Sequence, residues 1–166
     1  MPLALIALSL SLPGAVTAAT GDPKAPLVKS LKRELRKGFQ PVTDREIRDA
    51  IVPVDINSDG IDDWQINFSP LGSAWCGTGG CRYQLWLGSA KGLPRLVFDR
   101  QMREVTIVKR QGRTVFVFDF HGSQCGGFGA EACPGEFAWD KRSGTFALQP
   151  TPGKHTGLAK PIVRIW

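Results

Sequence analysis

Between Val54 and Trp64 the chain reads Asp55-Ile56-Asn57-Ser58-Asp59-Gly60-Ile61-Asp62-Asp63, four carboxylates and one amide packed into nine positions. Numbered from Asp55, side-chain oxygens fall at positions 1, 3, 5 and 9 (Asp55, Asn57, Asp59, Asp63), glycine at 6 and the Ile61 carbonyl at 7. That pattern suits a hard divalent cation. Calcium takes six to eight oxygens, and a chain turning tightly around it brings alternate side chains inward. Gly60 supplies the reversal without a Cβ clash. Carboxylates this close repel one another unless a cation sits among them. The spacing therefore predicts a calcium ion that fixes the approach to Trp64. Position 12, where a bidentate Glu would tighten the site, is Ile66, so the expected affinity is about 10⁻⁴ to 10⁻³ M. The plain alternative is an acidic turn without metal, because Asn, Asp and Gly favour turns in any case.

The other residues with chemical potential cluster around four cysteines. Cys76 and Cys81 bracket Gly77-Thr78-Gly79-Gly80, and Cys125 precedes Cys133 by a Gly-rich stretch. Of the three possible pairings, the local one, Cys76 with Cys81 and Cys125 with Cys133, closes two small loops, each adding about 2 kcal/mol by loop entropy. A zinc ion on four thiolates competes, although structural zinc sites prefer closer cysteine pairs. His121-Gly122-Ser123 leads into the second loop. If adjacent strands carry both loops, they meet at one end of a sheet, where loops commonly hold binding sites. A hydrolase would need a nucleophile beside a base. His121 and Ser123 are the candidates, but a separation of two does not place them in hydrogen-bond reach, and no nucleophile-elbow motif surrounds Ser123. Asp119, Glu131 and Glu136 are carboxylates that could converge for glycoside chemistry. His155 lies in a Pro- and Gly-rich tail. Neither cysteine pair has redox-motif spacing.

The aspartate segment resembles the Asp-x-Asn-x-Asp-Gly-x-x-Asp calcium loops of EF-hands, dockerins, thrombospondin type 3 repeats and FG-GAP repeats. The likeness covers nine residues and a single copy. Because Trp64, Ile66 and Phe68 alternate as a strand, the context is closer to FG-GAP than to an EF-hand. The resemblance implies calcium as the cofactor and the ligand set Asp55, Asn57, Asp59, Ile61 and Asp63; it implies neither a propeller nor an integrin-like ligand. The Asp-rich loop, Gly-Gly-Cys hairpin and His-Gly-Ser-x-Cys segment together also resemble small exported bacterial proteins, which implies a compartment and no activity.

Leu3 to Leu12 is an apolar run broken only by two serines, and Ala15-Val16-Thr17-Ala18-Ala19 offers small residues for a peptidase. Ten residues are too few to span a bilayer. The expectation is a signal peptide over residues 1–18, a flexible stretch over 19–26, and a single domain over 27–166 that is periplasmic or secreted. Even cysteine usage agrees with an oxidising compartment. The net charge is +6, with eight bases between Lys24 and Arg48 and seven between Lys91 and Arg113. Lys24 to Lys37 has no interleaved aromatic residue, which argues against nucleic acid and leaves an unknown protein or an acidic envelope ligand as partner, as an inhibitor or immunity-type protein would have.

Leu27, Leu31 and Leu35, with Val28, form an apolar stripe that predicts an amphipathic helix, ended by Gly38 and Pro41. Thr43 and Glu46 form a capping box opening a short helix from Asp44 to about Ala50. Thereafter the period is two: Trp64, Ile66 and Phe68; Tyr83, Leu85 and Leu87; Val105 and Ile107; and a central strand Val115 to Phe120, apolar on both faces except for Asp119. Lys91-Gly92, Gln111-Gly112 and Ser143-Gly144 mark hairpin turns. Helices followed by strands give an α+β fold, a mostly antiparallel sheet built as a meander of hairpins, with the first helix on one face.

Overall fold

The computed structural model describes residues 22–36, 41–90, 92–129 and 131–148. The expected signal peptide, the Gly38 stop and His155 lie outside them. Two helices lead: α1 (Ala25–Leu35) and α2 (Asp44–Ala50). α1 starts within the stretch expected to be flexible, with Pro26 in its first turn, where a missing N–H costs nothing. α2 opens on the full capping box: the Thr43 hydroxyl accepts the Glu46 amide, and the Glu46 carboxylate accepts the Thr43 amide at 2.8 Å.

Among the described residues nine strands follow: β1 (Ile51–Val54), β2 (Asp63–Asn67), β3 (Cys76–Gly77), β4 (Gly80–Leu87), β5 (Arg95–Met102), β6 (Glu104–Arg110), β7 (Arg113–His121), β8 (Ala132–Asp140) and β9 (Thr145–Leu148). They form two antiparallel sheets rather than one. The first runs β1-β2-β4-β5, with β3 extending the β2 edge of β4; the second is the meander β6-β7-β8-β9. The chain crosses between sheets at a corner of one residue, Arg103, whose amide donates to the Asp119 carbonyl at 2.8 Å.

The period-two pattern explains the layering. Trp64, Ile66 and Phe68 point from β2 and its end toward the helices, where they join Leu27, Val28, Leu31, Leu35, Ile47 and Ile51 in one core. Tyr83, Leu85 and Leu87 point the other way into a second core with Val97, Phe98, Phe116, Phe118, Phe120, Phe137 and Phe146. The result is three layers: helices, first sheet, second sheet. A bulge between Leu85 and Trp86 shifts the β4–β5 register, and the neighbours Val97 and Phe98 are both buried there. β7 is central as expected, but only its Phe116, Phe118 and Phe120 face is fully covered; Val117 and Asp119 are half-buried. The β6–β7 turn is Gln111-Gly112, both left-handed (φ 50° and 75°), as a tight right-twisted hairpin requires.

Phe118 is fully buried and meets the rings of Tyr83, Phe98, Phe116, Phe120 and Phe137, with Phe98 stacked at 4.8 Å. Phe118→Ala is expected to lower stability by about 3–5 kcal/mol, read as a shifted urea midpoint with an unchanged slope.

Candidate functional site

Both disulfides form with the local pairing, Cys76 to Cys81 and Cys125 to Cys133, leaving no thiolates among the described residues for zinc. The first bridges two directly opposed residues of the β3–β4 hairpin. That hairpin lies hard against the end of β5. Gly80 has φ 94°, and a β-carbon there would stand 1.8 Å from the Met102 carbonyl oxygen, so only glycine fits. The second bridge ties Cys125, at the end of a 3₁₀ turn (Gly122–Cys125) after β7, to Cys133 in β8.

The two loops meet. A β-carbon on Gly79 would lie 3.7 Å from that of His121. Between them opens a cleft of about 800 Å³, lined from the first loop by Thr78 and Gly79 and from the second by His121, Ser123 and Gln124. Arg82, Asp99, Arg100 and Gln101 form its floor and wall, beside the Phe120 ring. Sequence reasoning named His121 and Ser123 but missed Arg82, Asp99, Arg100, Gln101 and Gln124. All but Gln124, which lies in the 3₁₀ turn beside Ser123, come from the paired strands β4 and β5, and the register Arg82↔Gln101 and Tyr83↔Arg100 brings them together.

Arg82 is the fixed element. Its guanidinium donates to Asp99 through Nε (2.7 Å) and Nη2 and to Glu34 of α1 through Nη1 (2.6 Å). It also stacks over Phe68 and Trp75, 5.0 and 5.7 Å from the ring centres. The Asp99 carboxylate raises the Arg82 pKa above its ordinary value, against the opposing effect of burial, so the charge is permanent. Arg100, by contrast, donates to the backbone carbonyl of Asp99 and has no carboxylate partner among the described residues. The cleft thus offers one committed cation, one available cation, two side-chain amides and two hydroxyls.

His121 Nδ1 lies 2.8 Å from Ser123 Oγ, closer than their separation in sequence suggested. The same nitrogen accepts the Ser123 amide at 3.4 Å and so caps the 3₁₀ turn. With Nδ1 accepting the amide, the hydroxyl proton must point to it as well. No described carboxylate orients the far side of the ring. Asp119, Glu131 and Glu136 do not converge. Asp119 accepts the Cys133 amide at 2.8 Å, Glu131 accepts the Phe128 amide at 3.0 Å, and Glu136 pairs with Arg110.

The aspartate loop sits at the opposite ends of β4 and β7 from the cleft. Its backbone is left-handed at Ser58 (φ 57°) and Gly60 (φ 78°). Asp55 Oδ1 accepts the Ser58 amide (2.7 Å), Asn57 Oδ1 the Asp59 amide (3.0 Å) and Asp59 Oδ1 the Ile61 amide (2.8 Å). Asp63 differs from the rest: it is fully buried, and its two oxygens accept the Ile56 and Gly88 amides, each at 2.8 Å. Lys109 Nζ approaches Asp55 to 3.7 Å, and the Thr114 hydroxyl donates to the Asp55 carbonyl. The loop therefore fastens the first sheet, through Gly88, to the second, through Thr114. Among the described residues no three His, Cys, Asp or Glu side chains stand grouped to hold a metal.

Comparison with protein-family models, with curated proteins and with solved structures finds no match to this chain.

Asp63→Asn puts an amide nitrogen where one of two backbone donors needs an acceptor, and is expected to cost about 1–3 kcal/mol in urea unfolding. Burial raises the Asp63 pKa above 3.8 despite the amides. The folded chain then holds this proton more tightly than the unfolded chain. In chelator, its contribution should be greatest in acid and should fall as pH rises through the raised value. Asp63→Asn should abolish that component of the slope.

Proposed function

We propose that the chain is an exported binding domain, stabilised by calcium, whose ligand enters the cleft between the two disulfide loops. The disulfides support an oxidising compartment, and no described helix is long and apolar enough to cross a membrane. The observation that carries the binding reading is Arg100, a cation without a carboxylate partner among the described residues, in a cleft that also offers, beside the Arg82–Asp99 pair, two side-chain amides, two hydroxyls and an imidazole. Amides donate and accept at once and suit sugar hydroxyls, while a guanidinium suits a carboxylate. The ligand class is an acidic envelope glycan. Titration calorimetry with solubilised peptidoglycan fragments, against neutral dextran oligomers, is the test. Fragments should bind, and Arg100→Met should weaken them about tenfold or more, the loss of a charge-assisted bond. Equal binding of both sugars, or an unaffected variant, removes the reading.

A second reading rests on the 2.8 Å contact between His121 and Ser123: a small hydrolase with Ser123 as nucleophile and His121 as base. It gains from that distance and loses from the missing orienting group. Cleavage of the same fragments by the parent, lost in both Ser123→Ala and His121→Ala, would replace the binding reading with this one.

Calcium would be held by the exposed side of the aspartate loop. Asp55, Asn57 and Asp59 have oxygen lone pairs beyond those given to local amides, and Ile61 contributes its carbonyl. Asp63 adds charge from behind while keeping its amides. Bound calcium supplies positive charge that offsets the carboxylates. Lys109 and Lys141, the latter donating to the Ser58 carbonyl at 3.4 Å, give part of that compensation within the chain. At about ten times its dissociation constant the ion should add about 1.4 kcal/mol, seen as a higher melting temperature in millimolar calcium than in chelator. Asp59→Asn should erase the difference, and a melt identical in both buffers would defeat the proposal.

A further inference from the structure

α1 carries a second surface, independent of the cleft. Leu27, Val28, Leu31 and Leu35 bury one side of the helix. Lys29, Arg33 and Arg36 stand at i, i+4 and i+7, one face of a helix, and all three are exposed. None has a carboxylate partner among the described residues. The single acid of α1, Glu34, is turned inward to Arg82. A groove of about 430 Å³ between α1 and α2 gathers these three with Lys32, which holds Asp44 at 2.6 Å, and Arg48, which pairs with Asp22.

The fold uses only part of this arrangement: Lys32 ties α1 to Asp44 of α2, and Lys32 and Arg33 sit in the last turn, where the helix dipole favours cations. Lys29 with Arg33 and Lys32 with Arg36 are like charges at i, i+4, which oppose helix formation. The first turn also lacks the acid that the helix dipole favours. Among the described residues the exposed large apolar ones are Val52, Leu93 and Phe128, none of them on α1. Protein interfaces concentrate aromatic residues and deplete lysine. Clustered phosphates need only this density of positive charge, which guanidinium groups match with paired hydrogen bonds. We propose that the α1–α2 groove docks the chain onto clustered phosphate groups, those of an anionic phospholipid leaflet.

Co-sedimentation of the chain with vesicles of phosphatidylcholine alone, and of phosphatidylcholine mixed with phosphatidylglycerol, tests this. Association should require phosphatidylglycerol and weaken with salt. The triple variant Lys29→Gln, Arg33→Gln, Arg36→Gln should bind about a hundredfold more weakly, at roughly fivefold per charge removed. Arg33→Gln alone should lose about fivefold, and Arg142→Gln, at the β8–β9 turn, should lose nothing. The apolar run Leu3 to Leu12 is common to all variants, so the comparison reads the groove. The substitutions leave the apolar stripe intact, and an unchanged melt verifies folding. Release by millimolar inorganic pyrophosphate would support a discrete phosphate site; retention in its presence would support a multivalent lipid surface. Equal association with both vesicles, a triple variant that binds like the parent, or capture on polyglutamate beads without vesicle binding would overturn the proposal.

Discussion

The structure depends on phenylalanines from four strands being driven out of water against one another. Phe98 reaches across from the first sheet to stack on Phe118 of the second, and Phe116, Phe120, Phe137 and Phe146 close around them. Burial of rings this large dominates the favourable side of folding. It also dictates the topology: β5 must pass its neighbour across the corner at Arg103 so that one chain segment supplies both sheets. The helices then cover the remaining apolar face of the first sheet, and the loops at either end of β4 and β7 are held where this core leaves them.

What could be read from the chain alone follows from how local each signal is. The α1 stripe, the Thr43–Glu46 box, the alternation at Trp64 and Tyr83 and the turn at Gln111-Gly112 are each written within a few residues, and each is present where expected. The cysteine pairing was legible for the same reason, since both bridges close short loops. The division into two sheets was not, because one residue, Arg103, separates β5 from β6 and no Gly or Pro marks the change. The cleft was half legible. His121 and Ser123 announce themselves by type, whereas Arg82 and Arg100 look like ordinary surface bases until the packing of β5 and α1 gives Arg82 two carboxylates and leaves Arg100 with none among the described residues.

The aspartate loop shows how one motif divides its labour. Asp55, Asn57 and Asp59 remain at the surface and arrange the turn, while Asp63, the same residue type a few positions later, is drawn inside by Gly88 and Ile56. Spacing alone ranks all of them as equivalent oxygen donors. Burial separates them, because a carboxylate removed from water must find amide donors, and two backbone N–H groups at the end of β4 and the start of the loop need acceptors.

The two crosslinks span five and eight positions, and each stays within its own sheet. Bonds this short remove less freedom from the disordered polypeptide than long-range ones would, about 2 kcal/mol each, and neither sews one layer to the other. Cys133 is itself part of the aromatic interior, fully buried with Cys125 packed against that core, so a thiol there would be shut away from an oxidant once the layers had closed. The first bridge, by contrast, stands outside both cores, half-buried in the β3–β4 hairpin, and opening it would free the Gly79 side of the rim while the layers behind stayed closed.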